Sequence, residues 1–442
     1  MNAPWLRFVP AFLRAHLEGR FSFQAALANT GWLMADKVLR MVVGLLVGAW
    51  MARYLGPEQY GELAYALAFI AFFQAFANLG LDGLVVRDIA RDRAEAAVIL
   101  GTTFGVRLVA ALLGWVAACG VLAVLRPGDT NALLLVAIIG AGMLFQPADI
   151  IDLWFQSQVQ SRRTVVAKVT AFLIGNGAKV GLILANAPLW GFAVAQLLET
   201  ALAGVLLALA YRHFQADNEW TWNWPVAREL LLRSWPLVLS GLSVIIYMRI
   251  DQIMLREMVG EKELGIYSAA LPFSQAWHFL PMTICASVLP ALSRLHAENT
   301  EEFYRRLQQL FSVLVWLAIA IVIGMVLTAD WIVAGLLGSS YQESARVLMV
   351  HVATNVFIFL GVVQAQWVLS ENKTRVVLIQ TVSGAAVNIG LNLILIPRWG
   401  APGAAIAAVA AQALSAVLSN LVLAPRIFLM QLKGFAFVGL FS

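Results

Sequence analysis

Asn29-Thr-Gly-Trp-Leu-Met-Ala-Asp36-Lys37-Val-Leu-Arg40-Met-Val-Val-Gly44-Leu-Leu-Val-Gly48-Ala-Trp-Met-Ala-Arg53-Tyr-Leu-Gly56 is apolar and long enough to cross a bilayer, yet it carries Asp36, Lys37 and Arg40 inside what should be hydrocarbon. A charge at the centre of a spanning helix costs about 2.5–3.5 kcal/mol on insertion scales, so such residues persist where they face a wet cavity or a partner. Asp36, Arg40, Gly44 and Gly48 recur every fourth position and form one narrow stripe, polar at one end and small at the other. The stripe predicts a helix that lines a transport path. An Asp36–Arg40 pair that merely neutralises itself against the next helix is the plainer alternative.

The rest of the chain has the same character. Of its 442 residues 61% are hydrophobic and 12% charged, against about 25% charged in soluble proteins. Its apolar runs are the length of helices, not of alternating barrel strands. Composition therefore predicts an all-α integral membrane protein with about twelve spans of about twenty residues. Net charge of +5 follows from basic cytoplasmic loops, so no nucleic-acid partner is expected. Cys119 and Cys285 lie in apolar runs without ligand spacing and read as core thiols; no metal, cofactor or catalytic residue is predicted.

Lys and Arg set the orientation. With the N-terminus inside, cytoplasmic segments hold about nineteen basic residues and outer loops about six. Both termini are expected in the cytoplasm. Residues 1–24 mix Trp5, Phe8, Phe12 and Leu13 with Arg7, Arg14 and Arg20, which reads as a cytoplasmic amphipathic segment. Sequence order then assigns 25–211 to an N-terminal six-helix bundle and 212–233 to a cytoplasmic linker with Trp220, Trp222 and Trp224. Residues 234–430 form a C-terminal six-helix bundle, and 431–442 a cytoplasmic tail.

The two bundles read as a repeat of about two hundred residues. Gly56-Pro-Glu-Gln-Tyr-Gly61 recurs as Gly260-Glu-Lys-Glu-Leu-Gly265, and Pro188-Leu-Trp190-Gly191 as Pro397-Arg-Trp399-Gly400. Six helices per half keep both halves in the same orientation, as in parallel-repeat transporters, with substrate near the midplane.

Five basic residues remain inside spans: Lys37, Arg40, Arg107, Lys179 and Arg249. Acids within spans include Asp36, Asp149, Asp152, Glu199 and Asp251. Arg249 and Asp251, two residues apart, point almost oppositely on one helix, and Arg249 is taken as the cavity-facing member. His278 reads as a buried neutral histidine.

Four motifs in order resemble a known family: Arg53-Tyr-Leu-Gly56-Pro57-Glu58-Gln59-Tyr60-Gly61; Arg249-Ile-Asp251-Gln252 with Glu263-Leu-Gly265-Ile-Tyr267-Ser268-Ala269-Ala270; Gly338-Ser-Ser-Tyr341 with Ala345-Arg-Val-Leu348; and Trp399-Gly400-Ala-Pro-Gly403-Ala404-Ala405. The chain resembles the polysaccharide transporter family of O-antigen type flippases, within the multidrug/oligosaccharidyl-lipid/polysaccharide exporter superfamily. The resemblance implies two six-helix bundles around a central cavity in the bacterial inner membrane. It implies a non-enzymatic flippase that moves an undecaprenyl-diphosphate-linked oligosaccharide, an O-antigen or exopolysaccharide repeat unit, from inner to outer leaflet by alternating access. Membrane lipid is the surrounding partner, and a polysaccharide polymerase and glycosyltransferases are further partners suited to that role.

Arginine donates bidentately to phosphate oxygens, so Arg40, Arg107, Lys179, Arg249 and Lys37 are expected to bind the diphosphate and glycan. Asp36, Glu199 and Asp251 are expected to hold those cations or to couple protons. The rivals are a drug/cation antiporter of the same superfamily, a membrane polysaccharide polymerase or ligase, and a scaffold component of an assembly complex. The outer loops offer few acids for enzymatic chemistry, and a pure scaffold has no use for buried charge.

Overall fold

The computed structural model describes residues 21–93, 95–158, 160–213, 219–371 and 373–436, with side chains from 36 onward apart from 240, 290 and 374. Most of the expected amphipathic segment, residues 1–20, and the tail residues 437–442 lie outside the described residues. Nine helices among the described residues are long and apolar enough to cross a membrane, and a bent pair from Glu261 to Glu298 makes ten. Two of the nine are broken at a left-handed glycine. Helix α1 (Phe21–Ala77) turns at Gly56, φ 73°, and α14 (Thr374–Ala413) turns at Gly400, φ 55°. Counting each broken helix as two lengths of about twenty residues gives twelve apolar lengths among the described residues, the number that composition predicts.

Between them the chain runs through α2 (Asp82–Arg91), α3 (Ala96–Leu125) and α4 (Thr130–Ala141). A 3₁₀ segment, Gly142–Asp149, joins α4 to α5 (Ile150–Ser157). Then come α6 (Ser161–Leu184), α7 (Leu189–His213), α8 (Trp224–Val259), α9 (Glu261–Gln275) and α10 (Phe279–Glu298). The last part is α11 (Thr300–Ile332), α12 (Gln342–His351), α13 (Thr354–Ser370), α14, α15 (Asn420–Leu423) and α16 (Pro425–Phe435). Large apolar side chains stay exposed along the spans, Leu113 at 64% and Leu327 at 73% among them. That is the surface a bilayer covers.

Contacts divide the described chain into two compact units. The first holds residues 21–44 and Phe73–Leu239; the second holds Leu45–Phe72 and residues 240–436. The first is built around Leu81, Val85, Ile150, Phe155 and Leu207. The second is built around Phe303, Phe311, Phe359 and Leu360, and α16 closes it with Ile427 and Met430 inward. This partition departs from the sequence-order domains. Leu45–Phe72, expected in the 25–211 bundle, packs with the second unit. The linker differs too: residues 219–223 dock on α3. The Thr221 amide donates to the Ala97 carbonyl at 3.4 Å, and the Asn223 amide to Thr102 Oγ1 at 3.1 Å. Gly101 and Gly105 make the room, since a Cβ on them would lie 2.6 Å from Thr221 O and 2.8 Å from the Trp222 ring.

What ties Leu45–Phe72 into the second unit is the sequence repeat itself. Gly56 and Gly260 both take positive φ, 73° and 103°, and each opens the following helix. Five residues on, a Cβ on Gly61 would overlap the Glu261 carbonyl, and a Cβ on Gly265 would overlap the Pro57 carbonyl. Residues 57 and 61 map onto 261 and 265 by the same offset, so the two contacts are exchanged by the repeat. This is the self-complementary pattern of a two-fold contact. Tyr341 Oη donating to the Ala52 carbonyl at 2.8 Å and Tyr65 Oη donating to Glu257 at 3.0 Å hold the same hairpin. The second landmark is less regular. Pro188 follows a turn at Asn186, φ 52°, whereas Pro397 lies inside α14 ahead of Gly400. Both tryptophans, Trp190 and Trp399, are about half exposed.

The crossed glycines make a matched prediction. Gly61→Ala and Gly265→Ala should each destabilise the purified protein by about 1–3 kcal/mol, and to the same extent. Gly48→Ala, with open space around it, should leave the thermal midpoint unchanged or raise it. Unequal losses at the two crossed positions would speak against the two-fold contact.

Candidate functional site

In the first unit the intramembrane charges meet on one face of α6. Lys168, Phe172, Asn176 and Lys179 fall at helical spacing within one wedge, over about 16 Å of axis. At the lower end Lys168 Nζ bridges Asp149 at 2.8 Å and Asp152 at 2.7 Å. The 3₁₀ break with Pro147 changes the helical phase there and delivers both acids to one lysine. One turn along, the Arg40 guanidinium lies 4.9 Å from the centroid of the Phe172 ring, a cation–π contact. Arg40 Nε also meets Asp36 Oδ1 at 2.5 Å. Its Nη2 is buried and has no hydrogen-bond partner among the described residues. At the upper end Lys179 Nζ donates to Glu199 at 2.9 Å and to Gln196 at 3.0 Å. Gly175 admits Glu199, because a Cβ there would lie 2.7 Å from the Glu199 Cβ.

Arg107 is elsewhere in this unit. Its side chain is 5% exposed; it meets Asp82 at 2.5 Å and the Asn78 carbonyl at 3.2 Å. These partners flank a turn whose Leu79 and Gly80 both have positive φ, so Arg107 fastens α3 to the turn between α1 and α2. Lys37 is exposed beside Asp36.

In the second unit Arg249 Nη1 reaches only Gln252 Oε1, at 3.4 Å, and no carboxylate lies within salt-bridge distance of it among the described residues. Asp251 is buried and turned away. It accepts from the Tyr267 hydroxyl and, at 2.9 Å, from the Gln252 amide. Tyr267 stacks edge-on against His351, whose Nδ1 lies 2.6 Å from Ser274 Oγ. Deeper in the unit, Gln364, Gln380, Asn420 and Gln431 bond one another as a buried amide cluster.

Three of the five cations expected to bind the diphosphate and glycan are already neutralised: Arg40, Arg107 and Lys179 each face a carboxylate within 3 Å. The reason is electrostatic, since a lone ion in hydrocarbon is the costlier arrangement. Lys168 was not among the candidate residues; it lies inside α6, and its helical spacing to Phe172 and Lys179 was the available signal. Tyr267 lies in the second family motif, where no role was assigned to it, and His351 was not singled out. No cluster of three metal-ligating side chains occurs among the described residues, and both cysteines are free thiols.

The Lys179–Glu199 pair gives a test of role. Lys179→Gln alone leaves a largely buried carboxylate without its ion and should cost about 3–5 kcal/mol. Lys179→Gln with Glu199→Gln should recover most of that loss, as read by thermal unfolding of the purified protein.

Comparison with known proteins places this architecture. The family model described as polysaccharide biosynthesis protein matches residues 26–296, and the model described as lipid II flippase MurJ matches residues 164–439. No curated protein matches significantly. Among solved structures, the lipid II flippase MurJ in an inward closed conformation superposes with a TM-score of 0.75 at 11% identity, covering 93% of this chain and 91% of its own. An inward-facing MATE family multidrug resistance transporter of the MOP superfamily gives 0.71 at 17% identity, covering 89% and 96%. A MOP superfamily transporter from Pyrococcus furiosus gives 0.63 at 16%, covering 92% and 96%. At these identities the superpositions establish the fold, and the family model, spanning more than half of the residues, establishes the family: the chain belongs to the polysaccharide biosynthesis protein family.

Proposed function

We propose that the protein flips an undecaprenyl-diphosphate-linked oligosaccharide from the inner to the outer leaflet of the bacterial inner membrane by alternating access, with both termini cytoplasmic. The observation that carries this reading is the half-buried Arg40 guanidinium, which lies over Phe172 on the α6 face that also carries Lys179 and whose buried Nη2 has no hydrogen-bond partner among the described residues. An aromatic ring below and a spare N–H leave Arg40 able to take a phosphate oxygen without breaking its contact to Asp36. Lys179 and Arg249 are the further cations of this reading. Lys37, exposed one residue from Asp36, suits the glycan side. Arg107, fastened to a turn, belongs to the fold.

Asp36 and Glu199 hold their cations in the empty protein, and the cargo diphosphate takes over part of that role when bound. Such an exchange keeps each cation neutralised in both states, so binding carries no bare ion through hydrocarbon. Asp251, tied to Tyr267, is the candidate coupling group of the second unit. With the inside negative, moving about two negative charges outward gains about 4–5 kcal/mol per 100 mV. The names of the two family models, polysaccharide biosynthesis and lipid II flippase, agree in describing proteins that handle glycans or their lipid carriers. On the α6 face Lys168, Arg40 and Lys179 meet four acids, Asp149, Asp152, Asp36 and Glu199, each of them within 3 Å of a cation.

Arg40→Gln combined with Arg249→Gln should abolish surface polysaccharide at normal protein level. Undecaprenyl-diphosphate glycan should accumulate in the inner leaflet, as seen by analysis of lipid-linked oligosaccharides against a deletion strain. Wild-type surface polysaccharide in that double variant would remove the electrostatic account.

A further inference from the structure

One cavity of the first unit has no residue of α6 in its lining. It has a volume of about 960 Å³ and lies between α3, the 3₁₀ segment and α7, with residues 219 and 220 across one end. Its walls are apolar: Phe104, Phe145, Ala148, Val205 and Ala208. Small residues hollow it out. Gly204 approaches so closely that a Cβ would lie 3.0 Å from the Phe145 carbonyl, and the 3₁₀ geometry leaves the Phe145 ring 40% exposed beside it.

One end is different. Arg212 and Glu219, both exposed, sit at the rim with Tyr211 and Trp220. The Trp220 indole N–H donates to the Tyr211 hydroxyl at 3.0 Å, and Trp220 is held in place by the docking of residues 221–223 on α3. Gly204, Ala208, Tyr211 and Arg212 share one face of α7, so the groove runs about 12 Å from its apolar floor to its charged rim. Tyr and Trp at such a border mark the headgroup level, and the basic loops assign that border to the cytoplasm.

We propose that this groove binds one zwitterionic aminophospholipid of the inner leaflet, its phosphate on Arg212, its ammonium on Glu219, and the upper part of one acyl chain along Phe104, Phe145 and Ala208. The charge pattern selects the occupant. Sites for anionic lipids gather several basic residues, whereas this rim lines up one charge of each sign. A polyprenyl diphosphate would set its negative charges against Glu219. Water would leave apolar walls wet at membrane depth. The bound lipid would fill the space that the 3₁₀ segment opens, and so support the delivery of Asp149 and Asp152 to Lys168.

The full-length protein, purified and stripped of lipid in detergent, is titrated separately with phosphatidylethanolamine, phosphatidylglycerol and undecaprenyl phosphate, and retained adducts are counted by native mass spectrometry. Wild type should retain phosphatidylethanolamine about tenfold over phosphatidylglycerol, the scale of one charge-assisted contact. Ala208→Phe should lose the adduct. Glu219→Arg, an exposed change that leaves the interior untouched, should invert the preference between the two phospholipids. Equal retention of the two by wild type, preference for undecaprenyl phosphate, or a Glu219→Arg variant with unchanged preference would each overturn the proposal.

Discussion

A cation inside an apolar span needs a partner that travels with it, and in the first unit that requirement falls on one helix. α6 presents Lys168, Phe172 and Lys179 on one face, and the neighbouring helices answer with Asp149 and Asp152, Arg40 with Asp36, and Glu199. Each neighbour is shaped for that answer. The 3₁₀ segment rephases Asp149 and Asp152, Gly175 admits Glu199, and the apolar spacing of α1 stacks Arg40 above Asp36. Removing α6 from this set would leave acids and bases alike in low dielectric, where a broken pair costs more than an absent one. The fold and the candidate binding chemistry thus rest on the same contacts.

The second unit solves a different problem, that of fixing two hairpins against each other without bulky contact. Gly61 and Gly265 let backbone touch backbone, with each glycine set against the carbonyl of the residue one turn before the other. Close approach of this kind replaces side-chain packing by dispersion between main chains, as at small-residue helix interfaces in membranes. Because the two contacts are exchanged by the repeat, a change in one hairpin has a counterpart in the other. Arg249 and Asp251 illustrate what the repeat leaves unmatched: the second unit buries Asp251 against Tyr267 and leaves Arg249 with an amide.

Much of this was legible in sequence, and what was not has a common cause. Span number, the intramembrane charges and the glycine turns follow from length, composition and φ preference, all local properties. The pairings do not. The spans are apolar on every face, so their pattern carries no rotational phase. Whether Glu199 meets Lys179, twenty residues away, or Asp82 meets Arg107, twenty-five away, depends on that phase. The same blindness hid the transfer of Leu45–Phe72 to the second unit, since both ends of that hairpin read as ordinary spans. Lys168 was passed over because it follows the basic run Arg162-Arg163 that starts its helix. The Tyr267 motif does not show that its ring meets His351 and its hydroxyl meets Asp251, because those contacts join residues far apart in sequence.

Binding of a short, soluble polyprenyl diphosphate measured against the matching polyprenyl alcohol tests the central claim most directly. Titration of farnesyl diphosphate and farnesol into the purified protein isolates the charge from the tail. The account predicts that the diphosphate binds at least about tenfold more tightly, with affinity falling as salt rises. Equal affinities, unmoved by salt, would contradict it.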